Sequence, residues 1–167
     1  TQLIGWPWID STFSWVEPTS YAVLALKRSG HGAHPRVQEA ERLLLDRACV
    51  DGGWNYGNRI VFDQTLIAFA PTTALVMMAL QDNPSASNAV ERGLAFLSET
   101  LNRYPSTLSL ALAILCFNLF QQQTEPWVTL LLERQQRDGS WRHAGHLTAL
   151  SVLALQSVWE DRNVFKL

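Results

Sequence analysis

The chain has 167 residues, a formal net charge of −2 and 47% hydrophobic residues. That length suits a single domain, 1–167, with its own core, and the near-neutral balance gives no basic stripe of the kind nucleic acid requires. Charged residues are only 17%, so apolar surface is expected either to be buried or to be kept for a ligand, a membrane or a partner.

The first recognisable element is an apolar run from Thr19, TSYAVLAL. PRVQEAERLLLDRA (Pro35 to Ala48) follows, with Val37, Ala40, Leu44 and Ala48 on one helical face. DGGW (Asp51 to Trp54) closes that segment. The stretch from Asn55 to Ala70 is a long connection, and long connections in compact domains are often functional; it is expected to form a rim or lid. LIAFAPTTALVMMAL (Leu66 to Leu80) reads as a buried core helix, too short for the ~20 residues of a membrane span. Val90, Leu94, Leu97 and Leu101 mark another one-sided helix. NRYPS (Asn102 to Ser106) precedes a third apolar run, TLSLALAILCFNLF from Thr107. Thr124 is expected to cap the next segment, with Pro126 in its first turn. DGSW (Asp138 to Trp141) then repeats the earlier turn, and TALSVLAL from Thr148 is the fourth apolar run.

These runs share a register. Thr19, Thr73, Thr107 and Thr148 occupy one position, and Leu26, Leu80, Ile114 and Leu155 another seven residues on. Ala and Leu dominate them, which favours helix over strand. Runs apolar all round are expected to be buried on every side, whereas one-sided helices keep a wet face. The alternation implies an inner and an outer layer of helices, an all-α repeat architecture. The glycines of DGGW and DGSW supply the freedom for the joint between layers. Asp51 and Asp138 recur with the joint, so they read as turn residues rather than catalytic acids.

QQRDGSW (Gln135 to Trp141) resembles the glutamine–tryptophan repeat of the squalene and hopene cyclases and the related protein prenyltransferase β-subunits. RGLAFL (Arg92 to Leu97) is similar to the opening half of that repeat. LLLDRACVDGGW (Leu43 to Trp54) resembles a second copy, with Ala48 where Gln135 stands, and GWPW (Gly5 to Trp8) the tail of another. The resemblance implies an alpha/alpha toroid whose inner helices surround an apolar cavity for an isoprenoid or other lipid. Four inner and three outer helices are fewer than a full ring, so a partial toroid is expected. It would be a fragment of a longer chain, since the sequence begins at Thr1 rather than Met, or an arc completed by a homo-oligomer or partner chain.

The same resemblance directs the search for chemistry. Cyclases that start by protonation carry a DxDD acid cluster just before a Thr-Ala pair. Here Thr73 and Ala74 follow Phe69, Ala70, Pro71 and Thr72, none of them an acid. Glu17 and His146 each lie two residues before a register threonine, and they are the candidate acid and its partner. Trp15, Tyr21 and Phe69 are the candidate cavity wall, with Thr19, Thr73 and Thr148 beside them. No DxC pattern occurs, and His31 and His34, like His143 and His146, lack thiolate or carboxylate company. No metal and no cofactor are therefore expected. The readings that remain are a cyclase-like or prenyltransferase-like domain binding an isoprenoid, with or without activity, and a non-catalytic interaction or scaffold module. Peripheral membrane contact fits the first. Cys49 and Cys116 form no CxxC pair, which suits a reducing, cytoplasmic setting.

Overall fold

The computed structural model describes residues 2–167. It is all-α apart from one small hairpin. The helices are α1 (Val16–Arg28), α2 (Pro35–Asp46), α3 (Ala70–Ala79), α4 (Ser87–Arg103), α5 (Thr107–Leu119), α6 (Glu125–Leu132) and α7 (Gly145–Trp159). Strands β1 (Ile60–Val61) and β2 (Gln64–Thr65) pair antiparallel between α2 and α3, with Ile60 opposite Thr65.

The odd-numbered helices pack side by side in chain order, α1 on α3, α3 on α5 and α5 on α7. Each of the first three carries the following even-numbered helix, α2 on α1, α4 on α3 and α6 on α5. One continuous core runs through all seven, including Leu24, Leu43, Trp54, Met77, Leu97, Phe117, Leu131 and Leu155. Each such side chain, fully buried, contributes about 1.5–3 kcal/mol.

Burial on every side holds for the middle of the row and fails at its ends. Every residue of α3 except Pro71 is buried, and α5 is buried from Ser109 to Phe117. Tyr21, Ala25 and Arg28 of α1 are exposed, as are Ala149, Val152 and Trp159 of α7. Among the described residues, these end helices have no neighbouring helix on one flank. The apolar run at Leu66 also divides differently from the sequence reading. Pro71 fits only the first turn of a helix, so α3 starts at Ala70, and Leu66 and Ile67 lie exposed in the connection. Thr124 is the N-cap residue of α6, but its side chain makes no capping hydrogen bond.

The C-terminal tail straps the ends of the row together. Asn163 Nδ2 donates to Leu115 O at 2.8 Å and Asn118 Oδ1 at 2.9 Å on α5, and Asn118 Nδ2 donates to Ser157 O at 2.9 Å on α7. Gln81, just past α3, donates to Phe165 O at 2.8 Å. Arg28, at the end of α1, donates to Val164 O at 2.5 Å and Lys166 O at 2.9 Å. Among the described residues, no helix is long and apolar enough to cross a membrane.

Candidate functional site

The joints come first, because they position everything else. In three places a tryptophan backbone N–H donates to the hydroxyl of a register threonine. The pairs are Trp6 to Thr19 at 2.8 Å, Trp54 to Thr73 at 2.9 Å and Trp141 to Thr148 at 3.1 Å. Each hydroxyl donates in turn to the carbonyl four residues back, Trp15, Phe69 or Ala144. A Cβ at Gly5 would collide with the Thr19 hydroxyl, and one at Gly53 would lie 2.5 Å from that of Thr73. At these two joints the contact leaves no room for a side chain before the tryptophan, whereas Ser140 stands there in the third.

The indoles complete the device. Trp54 Nε1 donates to Leu44 O at 2.6 Å near the end of α2, and Trp141 Nε1 donates to Leu131 O at 2.7 Å near the end of α6. Both add a second donor to a last-turn helix carbonyl ten residues upstream. Arginines of the next even-numbered helix hold two joints from outside. Arg36 donates to Ile4 O and Gly5 O and stacks 4.6 Å over the Trp6 ring, while Arg92 donates to Val50 O at 2.7 Å. Thr19 and Thr73 are fully buried in these contacts. That places them in the joint and not on a ligand surface, and Thr148 makes the same pair of bonds.

The joint aspartates also turn inward to the backbone. Asp51 accepts from Ala68 N at 2.9 Å. Asp138 accepts from Ser140 Oγ at 2.7 Å, Ser140 N at 3.0 Å and His143 Nδ1 at 2.9 Å. The Ser140 hydroxyl, then its N–H and the His143 contacts, hold the Asp138 carboxyl down to about 2. Ser140, His143 and Asp138 resemble a hydrolytic triad in composition only. Nδ1 of His143 faces the acid and lies 3.4 Å from the serine hydroxyl, so no separate ring nitrogen is presented to a nucleophile.

A pocket of about 470 Å³ opens between the starts of α1 and α3. Phe13 and Trp15 come from the segment before α1; Tyr56, Val61, Leu66, Ile67 and Phe69 come from the long connection. The rings pair within each wall, Phe13 with Trp15 at 4.5 Å and Tyr56 with Phe69 at 5.3 Å between centroids. Two backbone bonds fix the wall, Val16 N to Tyr56 O at 2.8 Å and Phe69 N to Trp54 O at 2.9 Å. Asn55 is buried and satisfied within the loop, donating to Asn58 O and accepting from Gly57 N. Among the described residues, no charged side chain lines this pocket. At the hairpin tip Phe62 is 95% exposed, and both Phe62 and Asp63 have positive φ, at 48° and 59°. A bulky residue in the left-handed region is strained, and such strain collects at functional segments.

Trp15 and Phe69 therefore meet in one pocket, while Tyr21, on the exposed side of α1, lies outside it. Glu17 is also outside. Burial pushes its carboxyl above the usual range, and burial, then the charge of Glu17, raises the Tyr21 phenol. His146 is exposed in the first turn of α7. No hydrogen bond or ion pair joins it to Glu17, and α3 and α5 separate their helices in the packing order. The structure does not make them an acid–base pair. The described residues include no cluster of three or more His, Cys, Asp or Glu able to hold a metal.

Residues around the pocket that sequence reasoning missed include Phe13 and the hairpin wall at Val61. Their signal was the aromatic density before the first run and the length of the connection. Compared with known proteins, the sequence matches no family model and no curated protein.

Proposed function

We propose that the chain is an arc of an alpha/alpha toroid of the squalene and hopene cyclase type that holds an elongated apolar molecule, an isoprenoid or similar lipid. The alternation of helices and the recurring tryptophan–threonine joint support the fold. The observation that carries the function is the aromatic pocket between α1 and α3. Its volume of about 470 Å³ falls among small-molecule sites of about 300–1,000 Å³, which are typically apolar with few polar groups. Binding rather than catalysis is the reading, because the one raised carboxyl nearby, Glu17, does not line the pocket.

Native mass spectrometry with squalene and with farnesol tests this. Retained ligand is expected, with at least tenfold weaker binding in Ile67→Asp or Phe13→Asp, whose side chains line the pocket and reach solvent. Tyr104→Asp, on an exposed turn, should bind like the parent. Absence of any retained compound would sink the proposal.

A second reading, a non-catalytic interaction module, is favoured by one observation. The bare flank of α7 exposes Val152 and Trp159, the latter at 61%. A concentration-dependent mass that Trp159→Asp abolishes would support it.

A further inference from the structure

The apolar pocket has a polar neighbour. Asp46, Arg47, Asn58, Arg59 and Ile60 line a second cavity of about 180 Å³, and Asn58 borders both. Strand β1 divides them, with Val61 on the apolar side and Ile60 on the polar side, as the alternation of a strand requires. The second cavity holds two guanidiniums against one carboxylate, an excess of positive charge.

Arg47 is ion-paired with Asp46, but at a distance too long for a hydrogen bond. Arg47 Nε is buried without a hydrogen-bond partner, and Asp46 Oδ2 stands 4.0 Å from it. A buried donor left without an acceptor is rare in folded proteins and calls for an explanation. Among the described residues, the exposed Arg59 side chain has no hydrogen-bond or ion-pair partner. An acid group between them would give Arg47 Nε its acceptor and gain charge-assisted hydrogen bonds. An apolar chain alone leaves that donor as it is.

We propose that the occupant is an amphiphile with a single acidic head. Its chain lies among Phe13, Trp15, Leu66 and Phe69, and its carboxylate or phosphate passes Asn58 to reach Arg47 and Arg59. This rests on the apolar-ligand reading above and adds the charge of the ligand, which that reading leaves open.

Four compounds test it by isothermal titration: hexadecanoate against hexadecanol, and farnesyl monophosphate against farnesol. In at least one pair the acid is expected to bind at least tenfold more tightly than its alcohol. The pair that shows the preference identifies the head as carboxylate or phosphate. Arg59→Gln should bring that acid to the affinity of its alcohol, whereas Arg103→Gln, in an exposed ion pair with Glu99 on α4, should keep the preference. Equal affinity of acid and alcohol in both pairs overturns the acidic head and leaves the apolar-ligand reading standing. So does a preference that survives in Arg59→Gln. If none of the four binds, both proposals fall.

Discussion

The joints at Asp51–Trp54 and Asp138–Trp141 are close copies with different surroundings. Both reverse the chain through a glycine of positive φ, Gly52 at 100° and Gly139 at 82°, and both bury a tryptophan whose indole caps the preceding even-numbered helix. The first is covered. A Cβ on Gly52 would lie 2.9 Å from Arg92 O of α4, and Arg92 grips Val50 O. The second is bare, with nothing within 4 Å of a Cβ on Gly139. Ser140 also stands where Gly53 stands, and its tryptophan–threonine bond is longer, 3.1 Å against 2.9 Å. The motif sets the backbone path, and the neighbouring helix sets how much depends on it.

The largest test of that contrast is removal of the indoles. Trp54→Ala is expected to lower stability by about 3–5 kcal/mol and to expose amides of both α2 and α4, because its ring also packs beside Gly93. Trp141→Ala should fall at the low end of that range and expose α6 alone. Denaturant titration with hydrogen exchange reads both. Equal losses, with α4 unaffected by Trp54→Ala, would break the comparison.

A smaller effect separates the glycines. Either one mutated to Ala carries about 1–2 kcal/mol for the left-handed backbone. Gly52→Ala adds the collision with Arg92 and should cost about 3 kcal/mol in all. Thermal melts of the two variants should therefore stand apart, and coincident melts would show the covering helix to be irrelevant.

The smallest effect is acid sensitivity. A carboxyl depressed in the folded state contributes stability above its unfolded value and loses it as pH falls through its folded value. For Asp138 that window runs from the ordinary value of 3.8 down to about 2. Asp138→Asn should be the less stable protein at pH 5, and the gap should close by pH 2. A gap that stays constant would mean the Ser140 and His143 contacts do not favour the charged form.

The helical alternation was legible because Ala and Leu runs and one-sided runs differ in period, and the repeated turn marked their boundaries. The end helices were not legible as ends. TSYAVLAL and TALSVLAL look as apolar as the middle runs, and only packing order leaves a flank open. The threonines misled in an instructive way. Their register was visible, but the partner that Thr19, Thr73 and Thr148 each hold is a backbone N–H seven to nineteen residues away in the chain, brought there by a turn. The hairpin escaped notice because Phe62 and Asp63 fill a turn that usually announces itself with Gly or Asn. The rim role of Asn55 to Ala70 could be read from its length, yet the polar cavity behind it could not. That cavity needs Arg47 from the end of α2 and Arg59 from the loop to meet, and neither belongs to a recognisable pattern.

Rows of repeated helix pairs tend to come apart locally, since each unit contacts only its neighbours. The strap formed by Asn163, Val164, Phe165, Lys166 and Leu167 cancels that independence. By tying the ends of α1, α3 and α5 to the chain that leaves α7, it makes opening at either end of the row cost contacts at the other. Residues 163–167 thereby turn a stack of hairpins into a single cooperative unit.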